Sequence, residues 1–186
     1  MNNNYRLEYA ITSNQPDTLQ QATQELGGTF YFDAREKWQH LPFRALATIT
    51  SDDVEQLEAL ADVGLAVVCR RLIKDGVPAS IGMFPMVRHK ELTHAQSDAH
   101  WRDKHAPLAL EHHCHMTHYT QLSVTHTLSG PAYDGFALCG FASEDDLRNR
   151  FYTNKDSIKV INDDVHKFAT PKASPPRLIV QETRYG

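Results

Sequence analysis

The stretch "THAQSDAHWRDKHAPLALEHH", residues 93–113, decides the fold. Thr93 and Gln96 have capping-box spacing, so a helix is expected to start after Thr93. The segment before it, "SIGMFPMVR" (80–88), and the segment after it, "MTHYTQLSVTHTL" (116–128), both read as strands. Pro85 places the first of these at a sheet edge or a bulge, because proline cannot donate to a ladder. "GPAYDG" (130–135) then turns the chain and "FALCGFA" (136–142) returns as a strand. "SEDDLRNRFY" (143–152) is a helix capped by Ser143, and "DSIKVINDDVHKF" (156–168) is a second, with Ile158, Ile161, Val165 and Phe168 on one face. "TPKASPP" ends it, and "RLIVQETRY" (177–185) is the last strand. The order is β-α-β-β-α-β.

The preceding residues repeat that order. "NYRLEYAITS" (4–13) alternates as a strand does. "QPDTLQQATQEL" (15–26) carries Leu19, Ala22 and Leu26 on one helical face, with Pro16 in the first turn and Gly27-Gly28 beyond the end. "TFYF", "FRALATIT", "DDVEQLEALADV" and "LAVVCRRLI" supply strand, strand, helix and strand, with Phe43, Ala45, Ala47 and Ile49 expected on one sheet face. The expected class is therefore α+β: tandem ferredoxin-like units, residues 1–76 and 77–186, each a four-stranded sheet with helices on one face. The bare face of each sheet needs cover. Packing one half against the other gives an intramolecular pseudo-dimer, a dimeric-α/β-barrel arrangement within one chain.

Composition narrows the function. The 186 residues carry a net charge of −4 and 41% hydrophobic residues, so no basic excess points to nucleic acid and the chain can build a core. No apolar run reaches the roughly 18 residues of a membrane span, and the opening "MNNNYRLEYA" lacks a leader pattern. Cys69, Cys114 and Cys139 form no CxxC pair and no even disulfide set, so a cytoplasmic location is expected. The glycine-rich and GxSxG motifs of nucleotide, dinucleotide and hydrolase sites do not occur.

Six of the eleven histidines lie within residues 100–119. On an α-helix Trp101, His105, Leu108 and His112 share one face, which would carry His105 inward with two apolar neighbours. An inward imidazole needs a partner or a ligand, and its ordinary pKa of about 6.5 suits proton transfer. Pro107 should kink the helix and free the Asp103 carbonyl. His118 and Tyr119 point to opposite sheet faces, and Tyr119 could donate to a developing enolate or phenolate. "HHCHMTH" invites zinc, but the run crosses a helix-to-strand junction and adjacent side chains diverge, so no metal is assigned. Asp163 or Asp164 could orient an imidazole, although a solvated acidic pair is the plainer reading. Cys139, in an apolar strand, reads as a small hydrophobe.

The second half resembles the EthD family of the dimeric α/β-barrel superfamily. The resemblance rests on "HWRDKHAPLA" (100–109), "HYTQLSV" (118–124), "AYDGFALCGFASEDDLRNRF" (132–151), "NDDVHKF" (162–168) and "LIVQET" (178–183). Residues 1–75 carry none of these and read as a degenerate half. The resemblance implies a pocket between the C-terminal sheet and its helices, with His105 at the family's HxP position. It also implies a cofactor-independent cyclase, isomerase or monooxygenase acting on a small apolar or aromatic molecule. The expected catalytic residues are His105 and Tyr119. Trp101, Leu108, His112, His118, His166 and Phe168 are the expected substrate-binding set. The alternative is a non-catalytic binding or accessory protein of a degradation pathway. Free sheet edges leave room for a homodimer of such chains.

Overall fold

The computed structural model describes residues 5–186; residues 1–4, part of the opening without a leader pattern, lie outside it. The first half contributes β1 (Tyr5–Ser13), α1 (Pro16–Leu26), β2 (Gly28–Phe32), β3 (Ala45–Ile49), α2 (Val54–Leu60) and β4 (Gly64–Lys74). The second contributes β5 (Ser80–Met86), α3 (His94–His100), a π-helical turn (Trp101–His105), α4 (Ala106–His112), β6 (Met116–Ser129), β7 (Gly135–Phe141), α5 (Glu144–Asn149), α6 (Lys155–Phe168) and β8 (Leu178–Tyr185).

The eight strands close into one barrel in the order β1-β3-β2-β8-β5-β7-β6-β4. Each half thus keeps the ferredoxin-like neighbour pattern, its first strand lying between its third and fourth. The halves join along two antiparallel seams, β2 with β8 and β4 with β6. Closure removes the sheet edges that a single half would expose. It buries the inner faces of the sheets, while the helices cover the outer ones. Leu46, Val68, Ile81, Leu122, Leu138 and Val180 are among the side chains filling the barrel. Ala47 and Ile49 of β3 pack with Leu19 of α1 and Leu57 of α2 on the outer face of the first half.

Four local expectations are revised. Phe43 precedes β3 and turns into the barrel, whereas Ala45, Ala47 and Ile49 face the helices, because the alternation starts only where the ladder does. On α6 the buried side chains are Ser157, Ile161, Asp164 and Phe168, while Ile158 is 41% exposed. That face is rotated by one residue from the purely apolar reading, since two imidazoles compensate the buried Asp164 carboxylate. Pro85 sits on a central strand, but β8 pairs only with Ile81–Met83, so the missing donor of Pro85 faces a local edge. At Pro107, where a kink is expected, the helix carries a π turn just ahead of the ring, and α3, the π turn and α4 follow one another without a gap. The π turn just before Pro107 closes with the Ala106 N–H reaching back five residues to the Trp101 carbonyl.

Among the described residues, no helix is long and apolar enough to cross a membrane.

Candidate functional site

The outer face of the β5–β7–β6 sheet and the helices above it enclose a cavity of about 280 Å³. Its walls are mainly apolar, with Phe84, Ala137, Phe151 and Phe168 among them. Polar side chains, among them His105, His113, Tyr119, Tyr152, Asn162 and Ser174, also reach it.

The π turn sets which helical residues face this space. One extra residue in a turn rotates the rest of the helix by about 100°. Trp101, His105, Ala109 and His113, spaced by four, line the cavity. Leu108 and His112, which a regular α-helix would have aligned with Trp101, do not line it. Leu108 is half-buried elsewhere, and the His112 Nδ1 lies 2.9 Å from the Ser157 hydroxyl on α6.

His105 is 7% exposed. Its Nδ1 lies 2.9 Å from Oδ2 of Asp164, and the other carboxylate oxygen lies 3.0 Å from Nε2 of His100. The Asp164 carboxylate accepts a hydrogen bond from the Nδ1–H of His105, which keeps the proton on Nδ1 and leaves Nε2 as the basic nitrogen. Among the described residues Nε2 of His105 has no protein partner, so its lone pair is left for whatever occupies the cavity. Burial holds the His105 pKa below its ordinary 6.5, although the Asp164 bond opposes it. Burial would raise Asp164, but the bonds from His105 and His100 outweigh it and keep the carboxyl low. The pair is therefore a neutral imidazole on an ionised carboxylate near neutral pH. Phe168 packs on both rings, with centroids 4.9 Å from His105 and 5.3 Å from His100.

Tyr119 and Trp101 form the floor. The indole lies against Gly135, where a Cβ would meet it at 2.6 Å. The indole N–H donates to the Tyr119 oxygen at 3.1 Å, and the Gln121 amide donates to the same oxygen at 3.1 Å. That amide also donates to the Trp101 carbonyl at 3.1 Å, which fixes its NH₂ toward both oxygens. The phenol oxygen thus receives two donors, and its own proton is left to give. Burial pushes the Tyr119 pKa well up, so the phenol stays protonated. The guanidinium of Arg71, from β4 of the other half, stands 5.4 Å over the indole and is held by Asp98 of α3 at 2.5 Å.

His118 faces the barrel interior, away from the cavity, with Nδ1 3.1 Å from the Gly76 carbonyl and Nε2 2.9 Å from Thr120 Oγ1. His166 is exposed, its Nδ1 2.7 Å from the Asn162 carbonyl one turn back. Of the eight expected residues, the structure brings Trp101, His105, Tyr119 and Phe168 together at one cavity and sends Leu108, His112, His118 and His166 elsewhere. The histidine run disperses: His112, His113, His115 and His118 turn to Ser157, the Phe151 carbonyl, Arg150 and Gly76 respectively.

Three contributors lie outside the set expected from the sequence. His113 is 3% exposed, with Nδ1 2.6 Å from the Phe151 carbonyl, and burial pushes its pKa down to about 4. Asp164, whose plainer reading was a solvated acid, orients His105, while Asp163 stays at the surface with Lys159. Cys139 lines the cavity as a protonated thiol, pushed by burial to about 12. The i, i+4, i+8, i+12 spacing of Trp101, His105, Ala109 and His113 is visible in the sequence, but it signals a common face only once the π turn is known.

Residues 89–172 match the EthD domain family. No curated protein is similar enough to count as a relative. Two solved structures share the whole fold. One is a candidate monooxygenase from Lactobacillus acidophilus NCFM, with TM-score 0.52, 7% identity, and coverage of 96% of this chain and 93% of that one. Another is an anthrone oxidase-like protein, with TM-score 0.53, 10% identity, and coverage of 98% and 93%. Both likenesses extend over the N-terminal half, which carries none of the EthD motifs. Residues 89–172 of this chain are thus similar to an EthD domain, and they sit in a barrel that the N-terminal half closes.

Proposed function

We propose that the chain is a cofactor-independent enzyme that removes a proton from a small aromatic substrate in the cavity beneath α3, α4 and α6. The observation that carries this is the Asp164–His105 pair, whose free Nε2 belongs to a buried, mostly apolar space. A neutral imidazole with its other nitrogen bonded to a carboxylate is the arrangement of a general base. Proton transfer to Nε2 creates an imidazolium that Asp164 stabilises. The negative charge left on the substrate, as an enolate or phenolate, falls to the Tyr119 hydroxyl, whose oxygen already receives two donors. Phe168, Phe84 and Phe151 exclude water and hold the ring. Cyclisation, isomerisation and oxygenation of an electron-rich ring all begin with this step. The descriptions of the two fold neighbours, monooxygenase and anthrone oxidase-like, fit the third of these.

The test measures deuterium exchange at the acidic CH₂ of anthrone, with purified chain and no added metal or redox partner. The wild type is expected to accelerate exchange. His105→Asn keeps a side-chain donor toward Asp164 and removes the base, so it is expected to cost about 10²–10⁴-fold in exchange rate. Because His105 is held below 6.5, the rate is expected to fall only when pH drops below that value. Binding of anthrone with no exchange above the solvent rate would sink the reading and favour an accessory, ligand-holding role.

A further inference from the structure

A second cleft borders the cavity along Phe84, Phe151 and Tyr152. Its volume is about 390 Å³, and its other walls include Arg148, Lys155 and Arg177, with no carboxylate among them. Arg177 is the unusual member. It is half-buried just ahead of β8, with its guanidinium 6.0 Å from the Phe84 ring centre and 5.9 Å from that of Phe151. Among the described residues its side chain has no hydrogen-bond acceptor and no acidic partner, although its backbone carbonyl accepts from Arg35. Of the neighbouring arginines, Arg148 pairs with Glu144 and Arg35 pairs with Asp33. Burial lowers the Arg177 pKa, and the charges of Arg148 and Arg35 lower it further. A half-buried guanidinium in a cleft without a carboxylate, and with no acceptor bonded to it among the described residues, has hydrogen-bonding capacity left over.

We propose that this cleft is an anion subsite, and that the substrate is an aromatic carboxylic acid with its ring in the cavity and its carboxylate on the Arg177 fork. The proposal rests on the cavity being the substrate site. A planar carboxylate matches a guanidinium in a two-bond geometry that neither lysine nor a neutral amide reproduces. The Phe84 and Phe151 rings stand 6.0 and 5.9 Å from the guanidinium carbon, at the limit of cation–π reach. The shared wall of Phe84, Phe151 and Tyr152 makes the ring-to-carboxylate junction the point of selection. A neutral ring of the same size fits the cavity but leaves Arg177 as unmatched as before.

The experiment compares 6-hydroxy-2-naphthoate with its neutral amide, 6-hydroxy-2-naphthamide, by calorimetric titration of the full chain. Wild type is expected to bind the acid at least tenfold more tightly than the amide, and raising the salt concentration should shrink that preference. Arg177→Met keeps the apolar stem and is expected to bring the acid down to the amide's affinity while leaving the amide unchanged. The salt titration on wild type tests the same charge without any substitution. Equal affinities for acid and amide in wild type, or a preference that survives in Arg177→Met, would overturn the anion subsite and leave the cavity reading standing. Failure of both probes to bind would overturn the two together.

Discussion

At the residue scale, this site depends on what is bonded to the far side of each imidazole. His105 and His113 both enter the cavity wall, but a carboxylate orients the first and a carbonyl the second. A carbonyl gives less compensation than a carboxylate to a buried imidazolium, so His113 stays neutral down to about pH 4. The consequence for stability has a definite sign. Above pH 6.5 His113 is neutral whether folded or unfolded and contributes no pH dependence. Between 6.5 and about 4 only the unfolded chain takes up the proton, so stability falls as pH falls, by roughly 3 kcal/mol in total from this group. His113→Asn retains a donor toward the Phe151 carbonyl without titrating. Urea midpoints measured from pH 7 to pH 4 are expected to decline less steeply in that variant. Asp164 shows why such partners are hard to read in advance: an acid beside another acid on a helix looks solvated until the neighbouring helix brings two imidazoles to it.

At the level of elements, the contact between the π turn and β7 places the whole site. The Trp101 indole can lie on the sheet because position 135 has no side chain, and from there it reaches the Tyr119 oxygen. Gly135→Ala would put a Cβ 2.6 Å from the indole and 2.9 Å from the Leu122 carbonyl oxygen. Backbone on one side and a fully buried indole on the other leave little room to give. The expected cost is about 1–3 kcal/mol, together with displacement of the indole from Tyr119. Fluorescence of Trp101 in a Trp38→Phe background would report this as a changed emission maximum, and an unchanged one would count against the indole's positioning role. The strand and helix order is readable because each element carries its own period and caps. Thr93, Ser143 and the alternation of β6 are local signals for local structure. The π turn is not readable, since part of its support comes from the sheet, where Gln121 donates to the Trp101 carbonyl.

For the whole molecule, the two halves are coupled by more than the β2–β8 and β4–β6 seams. Arg71 on β4 crosses to Asp98 on α3, and Ser123 of β6 donates to the same carboxylate at 2.5 Å. The side chain of Arg71 is 3% exposed, so removing its charge leaves Asp98 short of its main partner. Arg71→Met is expected to cost about 3 kcal/mol in denaturant unfolding, with most of that recovered in the Arg71→Met, Asp98→Asn double variant. Additive losses in the two would show instead that the pair carries no coupling between the halves.

The sequence by itself determined the repeated βαββαβ order, the need for the two sheets to cover each other, and the inward course of Trp101 and His105. Those come from periodicity, caps and the cost of leaving an apolar face in water, all of which are written along the chain. Only the tertiary structure decided the helical phase after His105, and with it the replacement of Leu108 and His112 by Ala109 and His113 at the cavity. It also decided the role of Asp164 and the sheet face that carries the site. Each of these depends on groups distant in the chain meeting in a medium of low polarity, where an unmatched charge or hydrogen bond costs enough to select one arrangement.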